Sequence, residues 1–169
     1  MVFAEHPGYN VSMTARRFLL LCLVGFLGAG FATADVVDVT FTGGSGVSAF
    51  GYSVGPYSGT VDGNLVDLYC VDFANTVHVG QTWQANLTAL DGGSLANTRY
   101  GNLPGALTLY RQAAWLTTQY EVAGASQYGD IQATIWGLFL PNSANPLDPP
   151  DPTVNSWAGL AAAAVNNGF

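Results

Sequence analysis

The spacing of apolar and polar positions along this chain changes period once, between Leu90 and Ala106. From Asp35 to about Leu90, apolar residues come in short stretches broken by turn residues, the pattern of half-buried strands. Val36, Val39 and Phe41 stand among polar neighbours. Gly43-Gly44-Ser45-Gly46 is a turn, and Ala49 to Val54 reads as a further strand. Asp62-Gly63 has the residues of a two-residue hairpin turn between Ser58–Val61 and Leu65–Tyr69. Leu65 to Phe73 is largely apolar and predicts a buried central strand. Val77 to Val79 and Thr82 to Leu90 continue the pattern, with alternation at Trp83, Ala85 and Leu87.

The second half has a helical period. Ala106 to Tyr120 predicts a helix with Leu107, Tyr110, Ala114, Leu116 and Thr117 towards the core. Asp130 to Leu140 predicts another, with Ile131, Ile135 and Leu138 on one side and Asp130 in the first turn, where the positive helix end favours a carboxylate. Pro141 to Pro152 reads as a loop. Ser156 to Val165 predicts a third, alanine-rich helix, with Gly168 just beyond it. The expected class is α+β: a β-rich sandwich or barrel from Asp35 to Leu90, covered on one side by a cluster of about three helices. In that arrangement Cys70 lies on an inner strand and Gln132 near the N-terminal end of the second helix.

Residues 1–34 have a different character. Arg16 and Arg17 precede an apolar run from Phe18 to Ala29, and Ala32-Thr33-Ala34 supplies small residues before Asp35. This is the layout of a secretory signal peptide cleaved after Ala34, and the run is short for a membrane span. Met13 lies just before the basic pair, so residues 1–12 are an expected upstream extension. The remaining 35–169 form one expected extracellular domain, with no membrane span after cleavage. The third helix ends close to Phe169, so a further C-terminal segment is expected to be missing.

Composition narrows the partners. Of 169 residues, 49% are apolar and only 9% charged, enough for a packed core. The net charge is -7 and there is no lysine. After cleavage Arg99 and Arg111 are the cations that remain. Such a surface repels nucleic acid, which is excluded as a partner. No cofactor or metal is expected, for there is no His/Cys cluster and no phosphate-binding glycine loop. Asp148-Pro149-Pro150-Asp151 reads as a solvated linker rather than a calcium loop. Asn86-Leu87-Thr88 matches a glycosylation sequon by pattern only. His78, in a strand-and-turn setting, is the one histidine left for nucleophilic chemistry, and no partner motif accompanies it.

Cys70 is the odd residue. Exported proteins usually pair their cysteines, and Cys22 leaves with the signal. An unpaired cysteine points to an intermolecular disulfide, a reactive thiol or another covalent fate; the plainer reading is a small buried apolar residue.

Several segments occur in a telling order: Gly55-Pro56-Tyr57, Tyr69-Cys70-Val71-Asp72-Phe73, Val79-Gly80-Gln81-Thr82-Trp83, Tyr110 to Leu116, and Asp130-Ile131-Gln132-Ala133-Thr134-Ile135-Trp136. Together they resemble exported bacterial proteins of the PEP-CTERM sorting class. An aromatic-Cys-aliphatic segment followed by an aliphatic-Gln-x-x-Ile-Trp helix resembles the thioester domain of bacterial surface adhesins. The resemblance covers residues 55–165.

It implies an internal thioester between the Cys70 sulfur and the Gln132 side-chain carbonyl, with Tyr69 and Trp136 packing around the bond. Only Cys supplies the thiolate, and only an amide side chain becomes an acyl group without an outside donor. The expected function is covalent adhesion at the cell surface or in extracellular matrix. An amine or hydroxyl on a target surface would attack the bond once, so the protein would not be an enzyme. The alternative is a non-covalent exported matrix protein with Cys70 in its core. A secreted hydrolase has no motif behind it.

Overall fold

The computed structural model describes residues 35–91, 94–140 and 151–169. The segment expected to be a signal peptide, and with it Cys22, lies outside them. So do Asp148-Pro149-Pro150 of the acidic loop.

The class is α+β. The strands are β1 (Asp35–Gly43), β2 (Ser48–Ala49), β3 (Tyr52–Ser53), β4 (Tyr57–Val61), β5 (Asn64–Leu68) and β6 (Thr82–Leu87). Four of them form one antiparallel sheet in the order β5-β4-β1-β6, and β2 pairs only with β3. The sheet is open; it is neither the barrel nor the sandwich expected from the alternation. Its pattern is one-sided: Val37 and Val39 are buried while Val36 is exposed, as in an antiparallel sheet with one wet face. Val39 pairs with Val61 on one side and Trp83 on the other, so the central strand fixes the register of both neighbours.

The turn chemistry is legible in detail at one site. Asp62 and Gly63 both have positive φ, 49° and 79°. A type I′ turn requires this, and Asp-Gly supplies it at low cost. The same geometry recurs at Phe50 and Gly51, φ 54° and 82°. Ala49 to Val54 is therefore a tiny hairpin, not one strand.

The helices are α1 (Ala106–Thr118), α2 (Tyr128–Phe139) and α3 (Pro152–Asn166), with a 3-10 turn at Gln119–Glu121 closing α1. The third begins earlier than the sequence pattern suggests. Pro152 occupies the first turn, where its missing N–H costs nothing, and the Asp151 carboxylate accepts from the Thr153 N–H. Asp151 is thus a helix cap, and Pro152 is helical. Residues Ile131 to Trp136 are all buried, so α2 runs through the interior rather than showing one face. Thr134 serves this burial. Its hydroxyl donates to the Asp130 carbonyl at 2.7 Å and approaches the Val154 carbonyl of α3 at 3.3 Å. In α1 the core side is Ala106, Tyr110, Ala113, Leu116 and Thr117. Leu107 is exposed, and Ala113 takes the place expected for Ala114.

Leu65 to Phe73 departs most from expectation. Its first part is β5, an edge strand with Leu65 78% exposed. Tyr69 to Phe73 then leaves the sheet as irregular chain. Leu68 ends in the sheet core with Val37 and Val39. Tyr69 and Val71 enter the helical core with Tyr110, Leu116, Ile131 and Ile135. This segment joins the two layers, and Cys70 sits between its two inward-pointing neighbours.

Ile131→Ala should destabilise the fold by about 2–5 kcal/mol, because a fully buried side chain leaves a cavity. Leu65→Ala should stay within roughly 0.5 kcal/mol. Denaturant midpoints of the two variants check this; equal losses would put β5 in the interior.

Candidate functional site

The Cys70 segment is held in place by Asp72. One carboxylate oxygen accepts from the Ala74 N–H at 3.0 Å and the Tyr100 hydroxyl at 3.3 Å. The other accepts from Asn75 at 2.6 Å and forms an ion pair with the Arg99 Nε at 3.1 Å. A short polar side chain satisfying the backbone just beyond it makes an irregular turn rigid without a strand partner.

Against this segment lies Gln132, in the first half of α2 and without exposed surface. A buried carboxamide must have its donors and acceptor satisfied. Gln132 Nε2 donates to the Cys70 carbonyl oxygen at 2.7 Å. Gln132 Oε1 accepts from the Gly55 N–H at 3.4 Å and from the Tyr120 hydroxyl at 3.3 Å. The opposite amide orientation would set oxygen against the Cys70 carbonyl and NH2 against the Gly55 N–H, so these two partners assign the atoms. Two residues 62 positions apart are thus brought together by the irregular segment and the helix.

At Gly55 the packing around this approach is tight. A Cβ there would come to 3.3 Å from Gln132 Oε1 and 3.1 Å from the Tyr57 ring. Gly55 and Tyr120 belong to the site although sequence reasoning missed their role. The available signal was Gln132 itself: inside an apolar helix it needs polar partners from elsewhere in the fold.

Cys70 is partly buried and unpaired. Its sulfur donates weakly to the Asp72 carbonyl oxygen at 3.4 Å. Burial is the main cause that pushes the thiol up, partly opposed by the Trp136 indole N–H and the Asp72 backbone. Trp136 Nε1 is buried and has no hydrogen-bond partner of good geometry. Its effect on the sulfur is therefore a looser electrostatic contact than a hydrogen bond. Tyr69 is buried and stacks at a tilt on Tyr120, ring centres 5.4 Å apart. Tyr69 and Trp136 are both buried, Tyr69 next to Cys70 in the chain and Trp136 one helical turn beyond Gln132.

The Cys70 side faces a cavity of about 630 Å³. His78 lines the same cavity but is exposed, and no hydrogen bond joins its ring to Cys70. Among the described residues no group of His, Cys, Asp and Glu could hold a metal ion. No described helix is long and apolar enough to cross a membrane.

Comparison with protein-family models, curated proteins and solved structures gives no match to this chain.

The phenols near the site add a pH dependence. Burial is the first cause that raises Tyr57 and Tyr120, with the Cys70 charge a further cause for both. A phenol raised in the folded state holds its proton more tightly there than in the unfolded chain. That contribution to stability is complete below the ordinary value of 10.0 and is lost as pH climbs towards the folded values. Denaturation midpoints should therefore fall steeply above pH 10.0, and Tyr57→Phe with Tyr120→Phe should flatten the fall. An equally steep decline in the double variant would assign it to other groups.

Proposed function

We propose that Cys70 and Gln132 form an internal thioester and that the protein is an exported adhesin which attaches covalently, once per molecule, to a nucleophile on a target surface. The observation that carries this reading is the buried Gln132 carboxamide, anchored at 2.7 Å on the backbone of the one cysteine among the described residues. An amide held there loses the freedom that normally makes an uncatalysed acyl transfer slow.

The chemistry balances within the chain. The Cys70 thiol adds to Gln132 Cδ, the Sγ–Cδ bond forms, and the Cδ–Nε2 bond breaks. Nitrogen leaves as ammonia, carrying the thiol proton. In the attachment step a surface nucleophile adds to Cδ, the Sγ–Cδ bond breaks, and the displaced proton ends on the Cys70 sulfur. Both steps pass through a tetrahedral centre with negative charge on Oε1. The Gly55 N–H and the Tyr120 hydroxyl already donate to that oxygen, so they are in position to stabilise the charge as it develops.

The raised thiol bears on latency. A sulfur that resists ionisation is a poor leaving group, which slows hydrolysis of the stored bond. The indole N–H of Trp136 works the other way and eases departure of the thiolate.

Intact mass tests the reading. The exported protein should be lighter than its sequence by one ammonia, whereas Cys70→Ala and Gln132→Glu should show their full calculated masses. A wild type of full mass with a titratable thiol would contradict the proposal and leave the non-covalent matrix protein. Tyr120→Phe should keep the ammonia loss at equilibrium but couple methylamine about 10²-fold more slowly, the usual cost of one oxyanion donor. An unchanged rate would remove Tyr120 from the mechanism.

A further inference from the structure

The cavity beside Cys70 says what kind of nucleophile the site admits. Gln132 is not part of its lining and has no exposed surface, so the proposed bond meets solvent from the Cys70 side. The walls are aromatic. Phe41, Tyr57 and Trp83 come from the sheet. Tyr52, Phe73 and Trp136 come from the small hairpin, the Cys70 segment and α2. The second set packs edge to face, ring centres 4.9 Å apart for Tyr52–Phe73 and 5.0 Å for Phe73–Trp136.

Beside the rings the lining carries the uncharged polar side chains of Ser53, Asn75 and Thr76, the imidazole of His78, and the aliphatic side chains of Leu68, Val71, Val77 and Val79.

Charge separates the candidates. Among the described residues neither Arg99 nor Arg111 lines the cavity, so no guanidinium there pairs with an anion. Asp72 is the one carboxylate among its described lining residues, and both of its oxygens are already engaged by Arg99, Asn75, Tyr100 and the Ala74 N–H. No free carboxylate remains to desolvate an ammonium group. Aromatic faces with the hydroxyl and amide side chains of Ser53, Thr76 and Asn75 match a ring that has apolar C–H faces and a rim of hydroxyls.

Resting on the thioester reading, we infer that this cavity binds a neutral saccharide and presents one of its hydroxyls to the Cys70–Gln132 bond. The hydroxyl oxygen adds to Gln132 Cδ, the Sγ–Cδ bond breaks, and the hydroxyl proton passes to the Cys70 sulfur. The product is a sugar ester of Gln132 and a free thiol.

The test incubates the full exported protein, in separate arms, with neutral gluco- and galacto-oligosaccharides and with methylamine. Intact mass is followed before and after alkaline hydroxylamine, which releases esters and leaves amides. The expected result is a saccharide adduct on protein that had lost ammonia, released by hydroxylamine. Trp83→Ala should lower the ratio of saccharide to methylamine coupling about tenfold, and Tyr52→Ala, at a half-exposed ring on the hairpin, repeats the measurement should the sheet variant fail to fold. Ammonia loss and methylamine coupling without any saccharide adduct would overturn the inference and leave the thioester standing. So would a ratio unchanged in every variant that folds. A wild type that has not lost ammonia would remove the thioester and the inference together.

Discussion

The site depends on the carboxamide of Gln132, a polar group with no access to water. An amide buried that far costs about 1–3 kcal/mol for each unmet hydrogen bond. It persists in the middle of an apolar helix because three separate parts of the chain supply partners: the Cys70 carbonyl, the Gly55 N–H and the Tyr120 hydroxyl. Each constrains its own element. Cys70 lies on irregular chain with its carbonyl turned to α2, Gly55 leaves little room for a side chain, and Tyr120 is carried inward by the 3-10 turn that ends α1. The meeting of sheet and helices is built around these contacts.

The surrounding packing serves the same juncture. Tyr69 and Val71 anchor the Cys70 segment in the helical core, and Asp72 clamps the turn through Ala74 and Asn75. Cys70 is left between a dry interior on the Gln132 side and an aromatic cavity on the other. A thiol so placed is held back from ionisation by burial and lies at the edge of solvent. Low intrinsic reactivity together with a shaped approach is what the proposed thioester would need to survive until its target arrives.

Local features were legible in the sequence. Asp62-Gly63 declared its hairpin because positive φ at two successive positions admits few residues. The helices declared their period, and the pairing of Cys70 with Gln132 came from a resemblance that the fold neither contradicts nor depends on. Features decided by tertiary contacts were not legible. Leu65 to Phe73 is apolar for two different reasons, an edge strand and a bridge into a second core, and a one-dimensional pattern merges them. The alternation that suggested a closed or double sheet is also what one open sheet with a single buried face produces. Gly55 and Tyr120 carry no motif; their roles appear only once Gln132 is seen to be buried.

The covalent state of the pair is read most directly from a high-resolution crystal structure of the protein. The proposed thioester predicts continuous density from Cys70 Sγ to Gln132 Cδ, no density for Nε2, and Oε1 still bonded to the Gly55 N–H and the Tyr120 hydroxyl. An intact carboxamide donating to the Cys70 carbonyl beside a separate thiol would contradict it.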